Sequence, residues 1–191
     1  MFILKKKYFL IIESIKDIEL INIKKRNKFI IIYRNLGKQE DISKLKSFRK
    51  KCKLKTIKFF VANNIKLAVK LNSDGIYLSS RNYCYKPLNL KRLNYEIIGS
   101  AHNHLEIQTK RKQGCKIILF PRLFRVAYKP QMSFLGVNKF NQFSLKSILT
   151  LVPLGGINLS NINKLKIIKS EFLAVMSDIK KKPANIINRL F

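Results

Sequence analysis

The chain has no tryptophan, only seven glycines and only three cysteines in 191 residues. Each shortage closes off a class of protein. Cys52, Cys84 and Cys115 stand far apart with no C-x-x-C spacing, which excludes a cysteine-held metal cluster and suits free thiols in a reducing compartment. No G-x-G-x-x-G follows the first apolar run, so a dinucleotide fingerprint is missing. Long apolar runs are missing too. Tyr8-Phe9-Leu10-Ile11-Ile12, behind Lys5-Lys6-Lys7, is shorter than a signal-peptide core and far shorter than a membrane span. The location this predicts is the cytoplasm, with no membrane partner. RNP-like aromatics, a KH-type G-x-x-G loop and zinc-finger spacing are also absent.

What is present is basic and apolar. Lys and Arg number 40 against 10 Asp and Glu, a formal net charge of +30. The lysines run along the whole chain instead of forming one block. With abundant Ile and Asn and no Trp, the pattern is that of an AT-rich genome, and the charge reads as a solvated basic surface. A nucleic-acid-binding protein is the rival from another class, which the missing motifs disfavour. Hydrophobic residues make up 47%, enough for a packed core.

Apolar runs alternate with helical patterns from end to end. Strands are expected at 8–12, 29–33, 57–61, 74–78, 95–98, 115–120, 149–154 and 171–175. Helical segments are expected at 14–28, 41–53, 64–71, 87–93, 102–113, 136–148, 160–169 and 179–190, with a long polar loop at 121–134. Asp41 or Ser43 is available as an N-cap, and Gly114 as a stop. Continuous apolar strands separated by helices imply a parallel sheet covered on both faces. No linker rich in Pro, Gly or Ser divides residues 1–191. The predicted fold is one (β/α)₈ barrel, short enough to require trimmed helices.

The late order of the phosphate-type turns favours a barrel over an open doubly wound sheet. Leu154-Gly155-Gly156-Ile157 ends one apolar run, and Ala174-Val175-Met176-Ser177 ends the next. Adjacent glycines leave backbone N–H groups uncovered by Cβ atoms, and helical starts follow both strand ends. A (β/α)₈ barrel keeps its phosphate site at these last strand ends.

Several further segments, in order, resemble the thiamine phosphate synthase/TenI family. Ile31-Ile32-Tyr33-Arg34 resembles a second-strand segment whose arginine faces pyrophosphate. Leu67-Ala68 with Ser73-Asp74-Gly75-Ile76-Tyr77-Leu78 resembles L-A…A-D-G-V-H-L. Ile97-Ile98-Gly99-Ser100-Ala101-His102 resembles I-I-G-x-S-x-H, and Leu123-Phe124 the end of a G-P-x-F loop. The resemblance implies the barrel fold and a transferase of thiamine biosynthesis, joining a pyrimidine pyrophosphate to a thiazole phosphate. It implies phosphate or substrate contacts from Gly155, Gly156, Met176, Ser177, Arg34, His102, Arg125 and Lys129, with Arg34 and Arg122 acting on the reacting groups.

The family's cofactor is Mg²⁺, held by two aspartates. Here Ala62-Asn63-Asn64 stands in place of N-D-R, and Asn82 in place of the second acid. An amide oxygen carries no charge, so a sharp loss of Mg²⁺ affinity is expected. Arg122, Arg125 and Lys129 are candidates to neutralise charge in the metal's stead. The TenI branch, a thiazole tautomerase with a histidine after the sixth strand, has Arg122 at the nearest position, which cannot serve as a base near neutral pH. The alternatives left open are a TenI-like thiazole phosphate binder, an inactive family member, and assembly into homo-oligomers.

Overall fold

Residues 6–23, 27–37, 40–126, 131–158 and 160–176 are described by a computed structural model of the protein. Their apolar runs become eight strands: β1 (Lys7–Ile12), β2 (Phe29–Tyr33), β3 (Lys58–Ala62), β4 (Gly75–Leu78), β5 (Glu96–Ser100), β6 (Ile117–Phe120), β7 (Thr150–Pro153) and β8 (Phe172–Val175). All pair in parallel in the order β7-β6-β5-β4-β3-β2-β1-β8. The sheet curls until its two ends meet at an isolated bridge between Leu154 and Ala174. Pro153 ends β7 at this seam and has no N–H to give a ladder. Ser170 ties the seam below, its hydroxyl lying 2.9 Å from the Leu151 carbonyl oxygen and 3.0 Å from that of Phe172.

Strand side chains alternate between two cores. Phe9, Ile11, Ile30, Ile32, Phe60, Tyr77, Ile98, Leu119, Val152 and Ala174 fill the barrel interior. Their neighbours, such as Leu10, Ile31, Val61, Ile76 and Leu151, pack outward beneath the helices. Continuous apolar runs are required because both faces of every strand are covered.

Helices α1 (Ile42–Leu54), α2 (Ile65–Lys70), α3 (His104–Lys112) and α4 (Val137–Lys146) follow β2, β3, β5 and β6. The Asp41 side chain caps α1 through the Ser43 N–H, Asn64 caps α2, and Asn103 caps α3. The remaining connections are trimmed to 3₁₀ turns, as the chain length predicts.

Two expected helices are corrected on this point. Within 14–28 only Ile15–Asp17 and Leu20–Asn22 turn, both as 3₁₀. Asp17 Oδ2 accepts the N–H groups of Glu13 and Ser14, closing a capping box, but Ile18 is extended and ends the turn. Within 160–169 the turn is 3₁₀ from Ile162 to Ile167. Asn158 Oδ1 accepts the N–H groups of Ser160 and Asn161, and the buried pair Leu165 and Ile168 lies three residues apart, the 3₁₀ repeat. The expected helix at 179–190 lies outside the described residues.

Candidate active site at the barrel mouth

Continuing the inward series of each strand by one residue reaches the C-terminal mouth of the barrel. On β2 the inward series Ile30, Ile32 extends to Arg34. The Arg34 N–H continues the ladder by donating to the Ile12 carbonyl at 2.8 Å. On β4 and β5 the interior turns polar at Tyr77 and Ser100, both buried. Burial pushes the Tyr77 hydroxyl above its ordinary value of 10.0, while hydrogen bonding with Ser100 and the nearby Arg34 charge act the other way. Arg34, Tyr77 and Ser100 all stand on the inward series of their strands, Tyr77 and Ser100 buried and Arg34 at the mouth.

Tyr77 and Ser100 were not singled out from the sequence as functional residues. The available signal was a polar residue at an inward position of an otherwise apolar strand, and it becomes visible only when register is known.

The ends of β3 and β4 bring Asn63 and Asn82 together, as the expected pair of metal positions requires. Asn63, in the left-handed region at φ 58°, accepts through Oδ1 from the Ser79 N–H at 2.9 Å and from Asn82 Nδ2 at 3.0 Å. Its Nδ2 donates to Ser79 Oγ at 3.1 Å. Asn82 Oδ1 accepts the Cys84 N–H at 2.9 Å. Each amide faces a backbone donor, so neither can be turned over without losing a bond. Among the described residues no group of three or more His, Cys, Asp or Glu could hold a metal ion. Mg²⁺ wants hard, preferably charged oxygen ligands. Two neutral amides already occupied with each other do not fit it.

The double glycine sits at the opposite side of the mouth. Gly155 and Gly156 have φ of 96° and 69°, which side chains rarely adopt. The space their missing Cβ atoms leave is filled by the loop after β6. A Cβ at 155 would lie 3.1 Å from the Arg122 nitrogen, and one at 156 would lie 2.5 Å from the Phe124 carbonyl oxygen. The loop is tied down by Leu123 N–H to Leu154 O and Phe124 N–H to Gly155 O, both 3.1 Å. The bare side of the glycines thus receives the loop backbone. Among the described residues the Gly156 N–H donates to no backbone acceptor, while the bridge that closes the barrel turns the Gly155 N–H toward the Ala174 carbonyl.

The other predicted residues separate. Arg122 is half-buried at φ 61°, its carbonyl accepting the Leu135 N–H at 2.8 Å. Arg125 is exposed and lies over the Phe134 ring at 6.0 Å. Met176 packs half-buried on the interior core. His102 belongs to the start of α3: its N–H and its Nδ1 meet Glu106 Oε2 at 2.7 and 3.0 Å. Burial pushes the Glu106 carboxyl up, but these contacts outweigh it and hold the group below its usual range. Ser177 and Lys129 lie outside the described residues. Among the described residues no helix is long and apolar enough to cross a membrane.

A family model described as thiamine monophosphate synthase matches residues 14–179. A thiamine-phosphate synthase of Pelagibacter ubique is 28% identical over 183 residues, spanning 91% of this chain and 87% of the relative. One of Prochlorococcus marinus is 29% identical over 139 residues, 72% of this chain but 40% of that longer protein. Among solved structures, a thiamine phosphate pyrophosphorylase from Pyrococcus furiosus superposes with a TM-score of 0.69 at 17% identity, covering 98% of this chain and 97% of that one. At that identity the superposition speaks for the barrel.

Proposed function

Since the chain belongs to the thiamine monophosphate synthase family, we propose that its barrel mouth binds a thiazole phosphate and a pyrimidine pyrophosphate and joins them into thiamine phosphate. The observation that carries this reading is the placement of Arg34, Tyr77 and Ser100 on the inward series of β2, β4 and β5, across the mouth from the Gly156 N–H, which has no backbone acceptor among the described residues. A cation beneath the mouth and an open backbone donor at its rim suit phosphorylated ligands.

In the reaction the family relation implies, pyrophosphate departs first and leaves a stabilised pyrimidine cation, which the thiazole nitrogen captures. Such a step asks little of acid–base catalysis and much of charge stabilisation on the departing pyrophosphate. Arg34 is positioned to supply that charge, and Arg122 stands on the loop beside the double glycine. The thiazole phosphate is received at the Gly155-Gly156 turn, with the Gly156 N–H as the open donor. Members of the family generally use Mg²⁺. The Asn63 and Asn82 amides do not fit that ion, and no step here passes through it.

The test is incubation of the purified protein with both substrates and detection of thiamine phosphate. Product that disappears in Arg34→Ala supports the reading. Thiazole phosphate binding without any product reassigns the protein to a TenI-like role. Failure of both ligands to bind overturns the reading.

A further inference from the structure

The loop between β4 and the 3₁₀ turn at Lys86–Leu93 is gripped from behind. Lys110 and Gln113, on α3 and its C-terminal end, are both fully buried. Lys110 Nζ donates to the Asn82 carbonyl at 2.6 Å and to Gln113 Oε1 at 2.8 Å. Gln113 Nε2 donates to the carbonyls of Asn82 at 2.9 Å and Cys84 at 2.8 Å. With the Asn63 and Ser79 bonds in front, the polar groups of Asn82 are engaged on both sides of the loop.

This arrangement is specific to amides. An aspartate at 82 would lose the Nδ2 donor that reaches Asn63 Oδ1 and would set a carboxylate against that oxygen. Aspartates at both positions would be like charges about 3 Å apart, a separation that demands a cation between them or a strongly raised pKa. In Asn63 and Asn82 the donor of one amide does the bridging, and Lys110, reaching from α3, holds the same loop from behind.

We propose that the β3 and β4 ends form a metal-independent clasp, in which the Asn63–Asn82 hydrogen bond, locked by Lys110 and Gln113, takes the place of a divalent cation and excludes one. The proposal rests on the family reading for the comparison of positions, but its test uses no substrate and no turnover. Failure of the synthase reading would leave the result unchanged.

The experiment is a pair of measurements with MgCl₂ alone: calorimetric titration, and melting temperature in chelator against millimolar Mg²⁺. For the wild type the expectation is no saturable heat and no shift in melting temperature. The Asn63→Asp/Asn82→Asp double variant is expected to melt lower than wild type in chelator. At Mg²⁺ about a hundredfold above its Kd, it should recover by about 5–10 °C. Should the double variant not fold, Asn82→Asp alone is measured in the same way, with a smaller Mg²⁺-dependent rise expected. Saturable Mg²⁺ binding by the wild type that Asn63→Ala weakens tenfold overturns the proposal. A folded Asp variant indifferent to Mg²⁺ overturns it as well, since the amides would then not be what excludes the ion.

Discussion

Gly156 and Phe124 are in such close contact that a Cβ at position 156 would come within 2.5 Å of the Phe124 carbonyl oxygen. The loop after β6 and the strand end after β7 are thus one backbone unit. Gly156→Ala adds a clash with the main chain to strain at φ 69°, worth about 1–3 kcal/mol for the conformation alone. The expected outcome is a melting temperature lower by roughly 3–10 °C together with weaker thiazole phosphate binding, read by thermal melting and titration.

Arg34 reaches the mouth as the residue after β2, on the inward series of Ile30 and Ile32. Arg34→Ala is expected to weaken pyrophosphate binding by roughly ten- to a hundredfold, the value of a charge-assisted hydrogen bond. The melting temperature of the unliganded protein should change little. Direct titration with inorganic pyrophosphate separates the two effects.

Gln113 satisfies two loop carbonyls and the Lys110 ammonium from a fully buried position. Gln113→Leu takes the side-chain donor from the Cys84 carbonyl and one of two bonds each from the Asn82 carbonyl and Lys110, which keep each other. A loss of about 2–4 kcal/mol in urea-unfolding stability is expected, far more than at an exposed glutamine.

Alkaline pH should unfold the protein through its buried acids. Burial pushes the Cys52 thiol from 9.0 up to about 12, and the Tyr8 and Tyr33 hydroxyls from 10.0 up to about 12. Above those ordinary values the unfolded chain releases protons that the folded chain keeps. The stability these groups hold is therefore complete below pH 9 and lost between 9 and 12. Lys6 and Lys110 work in the opposite sense, since burial lowers both from 10.5 and their penalty eases as pH rises to that value. Beyond 10.5 only the acids still titrate, so the net slope is downward. Melting temperature followed from pH 8 to 11.5 should fall most steeply at the top of that range. Cys52→Ala should flatten the onset near pH 9.

The strands were legible because burial on both faces leaves so little choice of residue. Phe29–Tyr33 is apolar throughout and forms β2 over those same residues. Helix α1 was legible through its Asp41 cap and the helical spacing of Ile42, Leu45 and Phe48, of which Leu45 and Phe48 are buried. The segment 14–28 misled because Ile15, Ile18 and Ile23 match a helical spacing, while local side-chain bonds from Asp17 favour a tight turn.

By itself the sequence determined the alternation of strands and helices, the barrel, the family, and the absence of carboxylates at positions 63 and 82, since each follows from residue type and order. That Tyr77 shares the barrel interior with Ser100, that Asn63 bonds Asn82 across two strand ends, and that Lys110 and Gln113 hold the loop from behind were decided by the tertiary structure alone. These pairs join residues on different elements, and their meeting depends on strand register and on how α3 lies against the sheet, which no local pattern encodes.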